Sequence, residues 1–269
     1  MKKIIIVTGA SSGIGREFAL QLTKERNADE IWILARRKDR LESLAAEISA
    51  IGKAIPKTIE IDLGGKKGVD AFTSLLVQEE KTAGKESFVI DTLVNNAGFG
   101  TYGMFADTAL SRELDMIDLN VYALTGLCHT VLPWMKEGSL IINVASLAGF
   151  TALGNLAVYG ATKAYVLSFS VALAAEVADQ GIFVSTVCPG PVDTEFSLVA
   201  SNGAREKVVD GKSPEKLVAH ALKTIRRGKR IAIMAPKWKF KAFMSRFVGR
   251  YGFARYMYQH DTRPAGPKE

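Results

Sequence analysis

A serine, a tyrosine and a lysine stand at spacings that suit proton transfer. Tyr159 follows Ser146 by 13 positions, and Lys163 follows Tyr159 by four. On a helix a step of four puts two side chains on one face, and a nearby cation favours the ionised form of a phenol. Tyrosine has a reference pKa of about 10, so half-ionising it near neutrality requires roughly 4 kcal/mol of differential stabilisation. A desolvated lysine can contribute to that. Alone, Tyr-X-X-X-Lys is a weak signal, because any amphipathic helix can carry such a pair on a solvated face; the rest of the chain decides its meaning.

Those groups need a scaffold, and the sequence outlines one. Apolar runs rich in Ile and Val recur at Ile4–Val7, Ile31–Leu34, Ile55–Ile61, Val89–Val94, Leu140–Val144, Ile182–Val187 and Ile231–Met234, with longer stretches of helical period between them. This alternation predicts an α/β fold of parallel strands joined by helical crossovers, with helices on both faces. Right-handed crossovers and a reversal after the third strand give a Rossmann-type, doubly wound sheet of about seven strands in the order 3-2-1-4-5-6-7. Ser213-Pro214-Glu215 reads as a helix start, with a serine cap and proline in the first turn. No internal repeat or low-complexity linker is visible, so residues 1–235 are expected to form one nucleotide-binding domain, and 236–269 a basic aromatic C-terminal extension of helical character.

In such sheets ligands sit beyond the carboxyl ends of the strands, and the informative residues follow the strands directly. After the first strand comes Thr8-Gly9-Ala10-Ser11-Ser12-Gly13-Ile14-Gly15, a turn whose missing side chains let backbone amides and a helix N-terminus approach a pyrophosphate. The second strand ends in Ala35-Arg36-Arg37, without the acid that usually binds a ribose 2′-hydroxyl and with donors suited to a 2′-phosphate. NADP is therefore expected over NAD. Asp62-Leu63 follows the third strand and Asn95-Asn96-Ala97-Gly98 the fourth; each alone would pass for a turn or cap.

Taken in order, Thr8-Gly-X-X-X-Gly-Ile-Gly15, Asp62, Asn95-Asn-Ala-Gly98, Asn120, Ser146, Tyr159-X-X-X-Lys163 and Pro189-Gly190 resemble the short-chain dehydrogenase/reductase family over roughly residues 1–235. The resemblance implies an NAD(P)-dependent oxidoreductase with a Ser-Tyr-Lys triad extended to a tetrad by Asn120. It implies that Ser146 polarises a substrate carbonyl, that Tyr159 is the general acid or base, and that Lys163 stabilises its phenolate and holds the nicotinamide ribose. Asn120 would position a water through its backbone carbonyl. The same resemblance assigns Gly9, Ser11, Ser12, Gly13, Ile14, Gly15, Asp62, Leu63, Asn96, Ala97, Gly98, Tyr159, Lys163, Pro189, Gly190, Val192 and Thr194 to the cofactor, alongside Arg36 and Arg37. Reduction is the expected direction with NADPH. Two further readings stay open: a protein that uses bound NADP as a redox signal, and an epimerase or dehydratase working through a transient ketone on the same scaffold.

Residues placed to face substrate are Phe99 and Tyr102 after the fourth strand, Leu147, Phe150, Leu153 and Leu156 between serine and tyrosine, and Phe196 with Leu198 after Thr194. They predict a lipophilic ketone, aldehyde or alcohol. The stretch 195–212 is expected to be a mobile lid. The chain's net charge of +7 is unevenly spread: Lys223 to Glu269 holds 13 Lys and Arg against two acids, so the preceding residues sum to −4. Phe240, Phe243, Met244, Phe247, Val248 and Tyr251 form one apolar face of a helix expected over 236–251, flanked by Lys239, Lys241, Arg246 and Arg250. That face suits packing on the body or on a second subunit, peripheral membrane contact through 237–251, or solvent. Relatives of this kind are commonly homodimers or homotetramers. Nucleic-acid binding is not expected, since a single basic helix makes no recognisable binding module.

Cys128 and Cys188 lie in apolar stretches without a ligand pattern, so buried free thiols, a cytoplasmic setting and no metal site are expected. Thr8 and Gly9 cut the first apolar run short of a signal peptide's core, and no segment is expected to span a membrane. Residues 262–269 are expected to be disordered.

Overall fold

In the computed structural model, which describes residues 1–83, 88–206, 208 and 210–261, the first apolar run forms β1 (Lys2–Thr8). Successive side chains of a strand point to opposite faces, and here both faces are covered: Ile4 and Ile6 enter one buried cluster, Ile5 and Val7 the other. Double burial explains why the run reads as continuously apolar. The chain continues through α1 (Gly13–Glu25), β2 (Glu30–Ala35), α2 (Lys38–Ile51), β3 (Ile55–Glu60), α3 (Gly65–Ala83) and β4 (Phe88–Asn95). Next, α4 (Leu110–Ile117), a π-helical segment (Asp118–Ala123) and α5 (Leu124–Val131) follow without a break. Then come β5 (Leu140–Val144), α6 (Ala157–Glu176), β6 (Phe183–Val187), α7 (Phe196–Ala200), α8 (Pro214–Arg226), β7 (Ile231–Ala232), α9 (Pro236–Met244) and α10 (Arg250–His260).

The strands pair in parallel in the order β3-β2-β1-β4-β5-β6-β7, as expected. One layer of the core takes Phe18 and Leu22 of α1, Leu41 and Leu44 of α2, and Leu217 and Leu222 of α8; the opposite layer takes Phe72 of α3, Leu127 of α5 and Val166 of α6. Fully burying side chains such as Phe18 and Phe72 contributes roughly 1.5–3 kcal/mol each. Ser213 caps α8 by accepting from the Lys216 amide at 3.4 Å, with Pro214 in the first turn.

The structure differs from expectation in two places. The last strand stops at Ala232 rather than Met234, because its partner β6 ends at Val187 and the chain then runs into Pro189, which has no amide to donate. The helix expected over 236–251 is two helices, broken between Met244 and Arg250 around Gly249. Both fold back on the body: Trp238 packs on Gly190, where a Cβ would lie 2.9 Å from the indole nitrogen, and Tyr258 packs on Gly154, where a Cβ would lie 2.5 Å from its own Cβ. Separately, α6 is 20 residues long and its most apolar 18-residue window has a mean hydropathy of 1.3, enough to cross a bilayer by length and composition alone. One face of it is packed on the body, with Val166, Ser170, Leu173 and Ala174 buried against the sheet, while Tyr165 and Val171 on the other are exposed. The expectations for 262–269, and for Lys207 and Val209 within the stretch 195–212, lie outside the described residues.

Candidate active site

The carboxyl end of β1 is tied to that of β4 by one hydroxyl. Thr8 Oγ1 donates to the Val94 carbonyl at 3.1 Å and accepts from the amides of Asn96 and Ala97 at 3.0 Å each. The Asn96 side chain answers by donating to the Thr8 and Gly9 carbonyls at 3.1 and 3.2 Å. Asn96 thus braces the glycine-rich loop with its side chain. Gly9 has φ of 63°, and a Cβ there would stand 2.8 Å from Asn96 Nδ2, so the close approach requires glycine. Ser12, the N-cap of α1, makes no side-chain capping bond. The first-turn amides therefore remain available to an anion.

Beside this loop lies the end of β2. Arg37 Nη2 donates to Ser11 Oγ at 2.9 Å and to Ser12 Oγ at 2.8 Å, and its Nη1 donates to Glu195 Oε2 at 2.8 Å. Arg40 reaches the other Glu195 oxygen at 2.5 Å. Burial works to raise the Glu195 pKa, but hydrogen bonds from Arg37 and Arg40 outweigh it and hold the carboxyl below its ordinary value. Arg36 is exposed, with Nη1 3.8 Å from Asp62 Oδ2. Arg40 and Glu195 were not legible as a pair because 155 positions separate them.

Three elements converge on the reacting groups. Strand β5 delivers Ser146, whose Oγ accepts from the Ala148 amide at 3.1 Å; a hydroxyl carries one donor as well, so its proton stays available. Helix α6 presents Tyr159 and Lys163, both buried. Lys163 Nζ donates to the Val144 carbonyl at 2.9 Å and lies 5.8 Å from the centre of the Tyr159 ring. Burial pushes its pKa down from 10.5 to about 8, opposed by Cys188. Since burial also raises the Cys188 thiol to about 12, that sulfur is uncharged at neutral pH and offsets little. The π-helical segment holds Asn120, 1% exposed. Its side chain accepts from the Phe99 amide at 3.2 Å and donates to the Phe99 carbonyl at 2.9 Å and to Thr162 Oγ1 at 3.1 Å. A Cβ at Gly98 would lie 2.6 Å from Asn120 Oδ1, so Asn120 sits directly behind the loop after β4. π-helical turns recur at functional sites.

A single cleft of about 1290 Å³ collects these residues. Gly9, Ser11, Ser12, Gly13, Ile14, Arg36, Arg37, Asp62, Leu63, Asn96, Ala97, Gly98, Ser146, Tyr159, Lys163, Pro189, Gly190, Val192 and Thr194 all line it. Gly15 and Asn120 stand behind its wall instead. The expected substrate-facing residues Phe99, Tyr102, Leu147, Phe150, Leu153, Leu156 and Phe196 line it too. Leu198 does not: it is 41% exposed, and its neighbours Ser197 and Val199 line the cleft in its place. Phe196 lies 5.2 Å from the Tyr159 ring and 6.4 Å from Tyr102. The Tyr102 amide donates to the Ala200 carbonyl at 2.7 Å, so α7 is fastened over the phenol. Missed from sequence were Arg112, whose buried Nε has no hydrogen-bond partner among the described residues, and Trp238, Met244, Phe253 and Met257 of the C-terminal helices.

The volume exceeds the roughly 300–1,000 Å³ of a pocket for one small ligand. The open amides of α1, the glycine close approach and the exposed guanidinium of Arg36 fit a dinucleotide, with room beside it for a second molecule. The sequence model described as short chain dehydrogenase matches residues 3–204. Sulfoacetaldehyde reductase 2 of Chromohalobacter salexigens is 36% identical over 210 residues, covering 76% of this chain and 78% of that one. A short-chain dehydrogenase from Sphingobium yanoikuyae in complex with NADPH superposes with a TM-score of 0.77 at 28% identity, covering 98% of each chain. The bulky-bulky ketone specific alcohol dehydrogenase of Comamonas testosteroni does so with 0.73 at 26%, covering 91% of this chain and 92% of that one. The chain belongs to the short-chain dehydrogenase family, and it is an oxidoreductase.

Proposed function

We propose that this protein uses NADP(H) to interconvert a carbonyl and an alcohol on an apolar small molecule, with reduction as the working direction. One observation carries the reading: a single cleft joins Ser146, Tyr159 and Lys163 to an arginine-framed glycine loop on one side and an aromatic wall on the other. Bound nicotinamide supplies the hydride donor or acceptor. Ser146 donates a hydrogen bond to the substrate oxygen, where negative charge develops. Tyr159 delivers the proton to that oxygen, or removes it in the reverse direction. Lys163, held by the Val144 carbonyl, keeps two ammonium donors for the phenolate side and the ribose. Asn120 fixes the loop that carries Phe99.

The choice of NADP rests on Arg36 and Arg37, which line the cleft at the end of β2 where a ribose acid is absent; the NADPH complex of the Sphingobium relative supports it. The apolar substrate rests on Phe99, Tyr102, Phe150, Leu153 and Phe196, and the bulky ketones of the Comamonas relative support that.

The deciding experiment is NADPH consumption by purified protein against aliphatic, aromatic and steroid-like carbonyls. Turnover is expected with apolar carbonyls, and Tyr159→Phe is expected to lose about 10²–10⁴-fold in kcat while NADPH affinity stays unchanged. Equal turnover by the variant would refute the role of the phenol. Silence across the panel with NADPH bound would move the assignment to the redox-signalling reading.

A further inference from the structure

The C-terminal helices carry more apolar surface than the cleft uses. Phe243, Phe247 and Tyr251 are 54%, 69% and 82% exposed and do not line the cleft; the first two rings pack together at 5.3 Å. Phe240 and Val248 are also exposed, yet they line the cleft, so the patch runs into the cleft's rim. Scattered exposed apolar residues are ordinary, but contiguous ones mark an interaction surface. Around them stand Lys237, Lys239, Lys241, Arg246, Arg250 and Arg255, all exposed. Residues 236–260 contain no acid, and none of the six cations has an ion-pair partner among the described residues.

Charge decides what fits. A second copy meeting this patch about a two-fold axis would set the same surface against itself, placing six cations opposite six. A nucleic-acid duplex would match the cations but leave the phenylalanine face largely in water, and a single strand, which could stack on the rings, would need a groove that two short helices do not form. An anionic bilayer takes both, with aromatic rings at headgroup depth and Lys and Arg at the lipid phosphates. We propose that α9 and α10 dock the protein on an anionic membrane surface, with the rim of the cleft at the lipid boundary. An apolar ligand then passes between bilayer and cleft without crossing bulk water. The docking does not depend on the assigned activity.

Vesicle flotation of the full chain tests it, comparing phosphatidylcholine alone with phosphatidylcholine–phosphatidylserine mixtures. Partition into the mixed vesicles, released by high salt, is expected. Each cation near such a surface is worth roughly fivefold in partition, so K239E/R246E/R250E should lose at least about tenfold, as should F243S/F247S/Y251S through lost insertion. Both variants should keep NADPH binding and the wild-type Tm. Hydrogen exchange on the unaltered protein gives a second readout: amides of 236–260 should gain protection with mixed vesicles and the sheet should not. Absence of wild-type partition at low salt, unchanged partition in both variants, or no protection in 236–260 would overturn the proposal. So would a wild-type dimer that F243S/F247S/Y251S converts to monomer without any vesicle partition, which would assign the patch to a second copy.

Discussion

Lys163 is the residue whose surroundings have the plainest thermodynamic signature. Its folded pKa of about 8 lies below the ordinary 10.5 because it is buried. Below pH 8 both folded and unfolded chains hold the proton, and the buried charge exerts its full penalty. Between pH 8 and 10.5 the unfolded chain binds more protons, so stability rises with pH. Relative to Lys163→Met, the cofactor-free protein should therefore gain roughly 3 kcal/mol across that window, measured by denaturant unfolding of both forms. Arg37 makes the second residue-scale prediction. Arg37→Ala should weaken NADPH binding about 10–100-fold, the worth of a hydrogen bond to a charged group, with NADH much less affected; equal losses for both nucleotides would show that Arg37 only braces Ser11 and Ser12. The glycine loop, Asp62, Asn96 and Ser146 were legible because each closely follows a strand, where this fold collects its ligands, and Tyr159 with Lys163 because a four-residue step shares one helix face. Thr8 as the brace between two strand ends, and Glu195 on Arg37 and Arg40, were not, because each depends on partners far away in sequence.

At the scale of elements, strands and crossover helices followed from periodicity, and boundaries moved by only a residue or two where ladder partners ran out. The C-terminal segment was legible as amphipathic but not as two helices. An apolar face at helical spacing cannot say whether a Gly249 break will let the chain turn, nor that Gly154 and Gly190 leave room for Tyr258 and Trp238. The consequence falls on substrate. Phe253 and Met257 of α10 line the cleft, and α10 packs on Gly154 in the segment between Ser146 and Tyr159, so Phe253→Ala with Met257→Ala should raise KM for bulky apolar carbonyls about tenfold through lost burial. NADPH affinity should not change, and steady-state kinetics with direct cofactor titration separates the two. The π-helical segment was equally hidden, since its sequence, Asp118–Ala123, differs in no obvious way from that of an ordinary helix.

For the whole molecule, two helical layers on a parallel sheet explain why one residue of each strand pair serves each face, and why the order of seven strands could be deduced from crossover handedness. The excess of positive charge belongs to the part of the chain that follows the sheet, so net charge alone would have misdescribed the body. That arrangement has a further effect on biogenesis. Because α9 and α10 complete the lining of the cleft, a nascent chain that has cleared the ribosome as far as Ala235 has every strand of the sheet and a cleft that lacks its C-terminal side. The finished cleft is therefore complete only after translation has passed Met257, whereas the sheet and its two helical layers are complete before then.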